Sequence, residues 1–123
     1  MEMINDLFRI IRLDTKDHVC GVVSFNKDHV IFKSHFPKNP IVPGVCILYI
    51  VKLILEKIID KKLVLTQASN IKFKNVITPL YAPSFNFSKI QVEGNLVHVK
   101  VNVVYGKIDL VKMTLVYSFR SND

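Results

Sequence analysis

The residues best suited to chemistry in this sequence lie between His35 and Val45, directly before a long apolar segment. This stretch contains one histidine, three prolines and a Pro-Gly pair. Proline fixes its own φ and keeps the preceding residue extended, so the approach to the apolar segment is stiff. A helix that begins at Gly44 presents N–H groups without intrahelical acceptors. A histidine beside such a helix start pairs a proton carrier with an electrophile, the pairing that acyl-thioester chemistry needs.

The length and composition indicate one folded domain. The chain has 123 residues, of which 50% are hydrophobic and 22% are charged. This length supports a single hydrophobic core, and this balance of residues excludes an intrinsically disordered chain. We therefore interpret residues 1–123 as a single domain.

Charge and cysteine content restrict the partners and the compartment. The net charge of +7 favours an acidic partner, but the lysines are scattered and no nucleic-acid-binding motif is visible, so we expect no nucleic acid. Cys20 and Cys46 provide neither a disulfide framework nor a metal-ligand spacing, and we expect them to pack as small hydrophobes, with no metal or cofactor. The N-terminus does not resemble a signal peptide, and the apolar run Val45–Ile59 is too short to span a bilayer. The prediction is a cytoplasmic protein outside the membrane.

A long helix and several strands are predicted to position these residues. The helix runs from Gly44 or Val45 to about Asp60, and its apolar residues cover almost every face, so we expect it to be buried all round. Before the helix, the sequence predicts strands over Leu7–Leu13 and His18–Phe25 and a short extended piece over Val30–Phe32. After it, strands are predicted over Leu63–Lys74, Phe85–Val92, Val97–Val103 and Val111–Phe119. This order predicts an α+β fold in which an antiparallel sheet is wrapped around one long central helix.

The run from His35 to Val45, continuing through Ile47 and Leu48, resembles the active-site motif of the 3-hydroxyacyl-acyl-carrier-protein dehydratases of fatty acid synthesis. That family has a His-Phe-Pro-Gly-x-Pro-x-x-Pro-Gly-Val pattern at the start of the central helix of a hotdog fold. The segment Asn70–Lys74 is similar to the basic-aromatic strand that follows the helix in the same family. The resemblance therefore implies that residues 1–123 form a single hotdog domain.

The resemblance also implies roles for the residues of the motif. His35 would remove the α-proton of a 3-hydroxyacyl thioester, and the N–H of Gly44 would polarise the thioester carbonyl. Phe36, Pro43 and Val45 would contact the substrate. The acyl chain would lie in a tunnel between two subunits of a dimer or of a trimer of dimers, and an acyl carrier protein would deliver the substrate.

Tyr49 is the main departure from the family pattern, because a Glu or Asp normally stands fourteen positions after the histidine. In the family this carboxylate protonates the departing hydroxyl group. A phenol with a pKa near 10 is a poorer proton shuttle at neutral pH, although it still donates a hydrogen bond. Of the other carboxylates, Glu56 is two helical turns away, about 10 Å along the axis, and is expected outside the site. Asp28 precedes the motif and stays a candidate substitute for the missing carboxylate.

Three functions follow from this sequence. The first is a dehydratase-like enzyme of fatty acid or polyene biosynthesis, either slow or with Tyr49 as the surrogate acid. The second is a non-catalytic thioester-binding module or one subunit of a heterodimer whose partner supplies the acid. The third is an acyl thioesterase, which ranks last because no carboxylate is evident near His35. For the first function, the candidate residues for docking an acidic carrier protein are Lys33, Lys38, Lys72 and Lys74.

Overall fold

Six strands and two helices make up the part of the chain that the computed structural model describes, residues 6–34 and 36–121. In chain order they are β1 (Phe8–Asp14), β2 (Cys20–Phe25), α1 (Ile31–Ser34), α2 (Gly44–Ile59), β3 (Leu63–Phe73), β4 (Ser84–Glu93), β5 (Leu96–Tyr105) and β6 (Ile108–Phe119). All neighbouring strands are antiparallel in one sheet of order β1-β2-β4-β5-β6-β3. The predicted α+β architecture is confirmed.

The core lies between α2 and one face of the sheet. Alternation of buried and outward-facing residues along β5 and β6 sends every second side chain toward the helix. The buried side chains of these two strands are Val97, Val99, Val101, Val103, Leu110, Val111, Met113, Leu115 and Tyr117. The matching face of α2 contributes Cys46, Ile47, Ile50, Val51, Ile54 and Leu55. These two strands therefore supply most of the buried hydrophobic side chains of the sheet.

The sheet covers one side of α2 only, so the prediction of burial on every side is wrong for the single chain. Val45 is 64% exposed, and Leu48, Tyr49 and Leu53 are half-buried. The physical reason is that one sheet supplies one layer, and the described residues contain no second layer over the opposite side of the helix. The helix therefore keeps an apolar outer side.

The short segment before the His35 motif is helical, so the extended structure predicted for Val30–Phe32 is wrong. Nδ1 of His29 accepts the N–H of Ile31 at 3.1 Å, a side-chain cap that favours a helical turn over a strand. Ile31 and Phe32 are also both buried. Consecutive residues of a strand point to opposite faces, whereas a helical turn can bury both side chains.

A bulge in β3 sets the direction of its last residues. Ser69 lies opposite Thr114, but the next aligned pair is Lys72 with Lys112, so β3 contains one residue more than β6 over this interval. Asn70 within the bulge has φ 51, a left-handed conformation that asparagine tolerates better than most residues. Because side chains alternate along a strand, the extra residue turns Phe73 toward α2 and Lys72 toward the opposite face.

Gly21 of β2 lies close against α2. A Cβ atom at this position would lie 3.1 Å from both Cδ1 and Cγ2 of Ile54, which is fully buried. This separation is tighter than ordinary van der Waals contact, and the surrounding core leaves little room for Ile54 to move. A side chain at this position would therefore force Ile54 to shift.

Replacing Gly21 by alanine should lower the free energy of unfolding by about 1–3 kcal/mol because it overpacks this contact. Denaturant unfolding of Gly21→Ala, of Ile54→Val and of the double variant measures the coupling. Removal of Cδ1 in Ile54→Val should make the double variant more stable than the sum of the two single effects by at least about 0.5 kcal/mol. Strictly additive effects would contradict the packing role of Gly21.

The C-terminal end of α2 is fixed by Glu56. Its carboxylate Oε2 accepts the N–H of Leu63, the first residue of β3, at 2.8 Å, and its carbonyl accepts the N–H of Asp60 at 2.8 Å.

The hydroxyl group of Tyr117 is buried and has no hydrogen-bond partner among the described residues. Burial and, to a smaller extent, the negative charge of Glu56 raise the pKa of Tyr117.

The raised pKa of Tyr117 predicts a loss of stability at alkaline pH. Above about pH 10 the phenol ionises in the unfolded chain but stays protonated in the folded one, so the free energy of unfolding falls as pH rises. Tyr117→Phe removes this contribution, and its stability should decline less steeply between about pH 10 and 11.5. Denaturant midpoints across this range provide the measurement, with Tyr105→Phe, an exposed tyrosine, as the control. Parallel curves for wild type and Tyr117→Phe would exclude the effect.

Candidate functional site

The N-terminal end of α2 presents two backbone donors. Pro43 occupies the N-cap position with extended φ −62 and ψ 149, and no side chain caps the helix. The N–H groups of Cys46 and Ile47 both donate to the Pro43 carbonyl, at 3.0 and 3.2 Å. Those of Gly44 and Val45 have no acceptor among the described residues. This end of the helix therefore carries a partial positive charge with donors available to an oxygen atom.

The segment that leads into α2 is anchored to the loop after β3. The N–H of Val42 donates to the carbonyl of Ile77 at 2.7 Å, and both side chains are buried. This bond links the proline-rich stretch to the chain that follows β3, so the start of the helix and the end of β3 are held together.

Phe73, the last residue of β3, lies against the start of the helix. A Cβ atom at Gly44 would be 3.1 Å from Cζ of the Phe73 ring. Glycine therefore allows the ring to approach the N-terminal turn closely. This contact explains the physical importance of the segment Asn70–Lys74, which the sequence marks only through its resemblance to a family strand. The alternation of inward and outward side chains along β3 would indicate the side on which Phe73 lies. The bulge at Asn70 interrupts this alternation, so the sequence pattern alone does not place the ring.

Apolar side chains remain accessible on both segments that meet here. Phe36, Val45, Phe73 and Val76 are each more than half exposed. Exposed apolar residues of this size are a feature of surfaces that bind a ligand or another chain. Of the predicted substrate contacts, Phe36 and Val45 are accessible and Pro43 is half-buried at the N-cap.

His35, the predicted general base, lies outside the residues that the structure describes, and its role stays a prediction. Its described neighbours in sequence are Ser34, the last residue of α1, and the exposed Phe36. The chain therefore carries the histidine on the connection from α1 to the start of α2.

Tyr49 lines an open groove of about 970 Å³ between the outer side of α2 and β1. Phe8, Ile10 and Leu53 form apolar walls of this groove, and Glu56 lines it further along the helix. The Glu56 carboxylate is engaged by the N–H of Leu63, so it serves to join α2 to β3. Asp6 and Asp60 also line the groove, so it contains the phenol and three carboxylates, of which that of Glu56 already has a structural partner.

Asp28, the other carboxylate considered from the sequence, is an exposed turn residue. Its N–H donates to the side-chain oxygen of Asn26 at 3.1 Å. This bond belongs to the turn after β2 and gives the residue a local structural role.

The four predicted docking lysines lie on two different surfaces. Lys33 is in the last turn of α1 and Lys38 is in the exposed loop before α2. Lys72 lies opposite Lys112 on the face of the sheet turned away from α2, and Lys74 pairs with Asp109 at 3.9 Å. The first two lysines are therefore the ones on the connection that carries the His35 motif.

Cys46 is 1% exposed, and burial raises the pKa of its thiol. A protonated, buried thiol is a packing residue, as predicted, since the thiolate is the reactive form. Within residues 6–34 and 36–121, no three His, Cys, Asp or Glu side chains are grouped to hold a metal ion. The same residues include no helix that is long and apolar enough to cross a membrane.

Solved structures of known proteins show which fold this is. The dehydratase heterocomplex ApeI:P from Xenorhabdus doucetiae superposes with a TM-score of 0.65 at 14% identity, over 89% of this chain and 96% of that one. Cj0915, a hexameric hotdog-fold thioesterase of Campylobacter jejuni, superposes with a TM-score of 0.58 at 15% identity, over 76% of this chain and 79% of that one. The predicted hotdog fold is confirmed.

Sequence comparison resolves the family. The 3-hydroxyacyl-[acyl-carrier-protein] dehydratase FabZ of Campylobacter lari is 33% identical, over 72% of this chain and 68% of that protein. The family model described as ApeI-like, ApeI dehydratase, matches residues 12–107, which include the His35 motif, α2 and strands β2 to β5. The chain therefore belongs to the ApeI-like dehydratase family.

Proposed function

We propose that the protein is a dehydratase-like enzyme that removes water from a 3-hydroxyacyl thioester carried by an acyl carrier protein, in fatty acid or polyene biosynthesis. The observation that carries this proposal is the start of α2. It has N–H groups at Gly44 and Val45 without acceptors among the described residues and directly follows the His35 motif. The chain that carries this helix start belongs to a dehydratase family, which supports the same reaction.

The proposed elimination begins with transfer of the α-proton to His35. Negative charge then develops on the thioester oxygen, where the N–H of Gly44 and the positive end of α2 stabilise it. The Cβ–O bond breaks as the Cα–Cβ double bond forms. The hydroxyl group leaves as water after it receives a proton, for which Tyr49 is the candidate donor. The products are a 2-enoyl thioester and one molecule of water.

The apolar side chains at the helix start are the proposed contacts of the acyl chain. Phe36 and Val45 are accessible, and Pro43 shapes the turn from which the helix begins. Lys33, Lys38, Lys72 and Lys74 are the proposed contacts of an acidic carrier protein. Of these, Lys33 and Lys38 lie nearest in sequence to the motif, and complementary charge would speed the encounter.

A second hotdog subunit is proposed to complete the site. The outer side of α2 is apolar, and β3 is an edge strand of 11 residues with Val64 46% exposed. An edge strand with free backbone groups readily pairs with another chain. In such a dimer, His35 of one subunit would work opposite Tyr49 of its partner, with the acyl chain between them. A trimer of dimers is compatible with the same contact.

The decisive measurement is turnover of a 3-hydroxyacyl-acyl-carrier-protein to the enoyl product by purified protein. The rate of His35→Ala should be lower than that of the wild type by a factor of about 10²–10⁴, because the variant lacks the general base. Tyr49→Glu restores a carboxylate at the family position, and we expect it to raise kcat by at least about 100-fold. The matched control is Tyr49→Gln, because glutamine has a shape similar to glutamate but carries no charge. This variant should show no gain in kcat.

The outcome for these variants also defines the role of the phenol. Loss of activity in Tyr49→Phe would identify Tyr49 as the proton donor, since only the hydroxyl group is removed. Turnover that is equal in wild type and His35→Ala would overturn the proposed function.

A second prediction concerns the space above Gly44. Gly44→Ala retains the N–H but adds a methyl group 3.1 Å from Phe73 Cζ, and we expect kcat/KM to fall by about tenfold or more. The free energy of unfolding should change by less than about 1 kcal/mol, because the tip of the exposed Phe73 ring can move aside. The double variant Gly44→Ala/Phe73→Ala should stay slow if the methyl group blocks the carbonyl. Unchanged kcat/KM in Gly44→Ala would contradict a close approach of substrate at this residue.

A non-catalytic or heterodimeric role is the alternative that Tyr49 favours. A chain that supplies the histidine but not the carboxylate would be complemented by a partner that supplies the acid. The similarity to a subunit of a dehydratase heterocomplex supports this alternative. Co-purification with a second hotdog protein and activity only in the mixture would establish it, whereas full activity of an exclusive homodimer would exclude it.

Thioester hydrolysis is the third candidate, since a hexameric thioesterase shares the fold. This reaction generally needs a carboxylate to activate water, and the carboxylate of Glu56 already accepts a hydrogen bond from the N–H of Leu63. Release of free thiol from acyl-CoA or acyl carrier protein, without enoyl product, would identify a thioesterase.

A further inference from the structure

The face of the sheet turned away from α2 carries lysines that oppose one another in register. Lys72 of β3 lies directly opposite Lys112 of β6, and Lys89 of β4 lies directly opposite Lys100 of β5. All four side chains are exposed. The two pairs therefore place four positive charges across four neighbouring strands, β4-β5-β6-β3.

Like charges at directly opposite positions destabilise a sheet. The carboxylate of Asp109, which is 70% exposed, lies 3.9 Å from the ammonium group of Lys74 and so forms its ion pair outside these two lysine pairs. Neither Lys72–Lys112 nor Lys89–Lys100 has an acidic residue at the opposing register position. A sequence that places repulsive pairs side by side violates a local rule of stability, which is a signature of a functional surface.

A small cavity lies beside these residues. Its volume is about 320 Å³, and its polar lining consists of His18, Lys74, Asn86, Ser88, Asn102, Asp109 and Lys112. Asn86 and Asn102 are directly opposite each other on β4 and β5. The side-chain oxygen of Asn86 accepts the hydroxyl of Ser84 at 2.8 Å, so the amide NH₂ is the group of Asn86 left to donate. The cavity thus combines ammonium groups and neutral amide donors with one carboxylate, that of Asp109, which is already paired with Lys74.

We propose that this cavity binds the phosphoryl group of a small molecule. Lys112 lines the cavity, and Lys72 stands opposite it on the adjacent strand, about 4.8 Å away. The flexible stem of Lys72 allows its ammonium group to reach the same tetrahedral anion as Lys112. The amides of Asn86 and Asn102 supply further donors to its remaining oxygen atoms. A bound anion would also relieve the repulsion within the Lys72–Lys112 pair.

This site is independent of the proposed elimination reaction. Lys72, Lys112, Asn86 and Asn102 lie on the sheet face opposite to the one that packs on α2. Lys72 and Lys74 are also proposed carrier contacts, whereas Lys112 and Asn102 are not. A test that changes Lys112 therefore leaves the residues assigned to thioester chemistry and carrier docking intact.

Thermal unfolding in inorganic phosphate, compared with sodium chloride at the same ionic strength, tests the proposal. The Tm of the wild type should rise with phosphate and approach saturation, because a ligand that binds the folded state stabilises it by mass action. Lys112→Gln should lower the apparent affinity for phosphate at least about tenfold. In low salt without phosphate, Lys112→Gln should melt about 2 °C above wild type because the lysine pair is no longer repulsive.

Lys27→Gln is the matched control, since Lys27 is an exposed lysine in the turn after β2. It should retain the phosphate response of the wild type and gain no stability in low salt. Pyrophosphate and adenosine 3′,5′-bisphosphate distinguish the sources of the phosphoryl group. Tighter binding of the nucleotide supports a nucleotide ligand, and equal or tighter binding of pyrophosphate supports a ligand recognised by its phosphates alone.

Three outcomes would overturn the proposal. One is a phosphate effect no larger than that of sodium chloride, and another is an undiminished phosphate response in Lys112→Gln. The third is binding of an acidic protein to this face in the absence of any response to small phosphates, which would make the lysines a protein-docking surface.

Discussion

The packing of α2 onto the sheet is the interaction on which the other features depend. Six buried side chains of the helix fill the space left by alternating side chains of the strands, and Gly21 lets Ile54 approach more closely than a larger residue would. This contact fixes the axis of the helix. The direction of the N–H groups at Gly44 and the position of Tyr49 follow from that axis, because both belong to the same rigid element.

The helix start and the outer side of the helix divide the proposed chemistry between them. The polarising N–H groups are backbone atoms, so their geometry depends on where α2 begins and tolerates many side-chain changes. In the proposed reaction, proton donation to the leaving group depends on a single side chain, that of Tyr49. A hotdog protein can therefore retain thioester binding while its rate of elimination changes greatly. Membership of the family therefore indicates thioester binding more closely than it indicates the rate of elimination.

The sequence predicted the elements well where one strong pattern governed them, as in α2, whose apolar run and Pro-Gly start gave its bounds closely. It failed for α1, because a single hydrogen bond from Ile31 to His29 outweighs the strand preference of Val, Ile and Phe. It also failed for the outer side of α2, since burial depends on how many layers surround a helix. The His35 motif located the candidate site. The contact of Phe73 with Gly44 and the facing of Lys72 depend on the register of β3, which pattern alone does not give.

The bulge at Asn70 has a consequence for how this protein can change by insertion and deletion. One extra residue in β3 sets the facing of both Phe73 and Lys72. Loss of that residue would exchange the two faces, so that an ammonium group would press on the start of α2 and an aromatic ring would stand among the outer lysines. A single change in chain length would thus alter the helix start and the outer cationic face at once. Point substitutions can tune these two surfaces separately, but a change of length in β3 cannot.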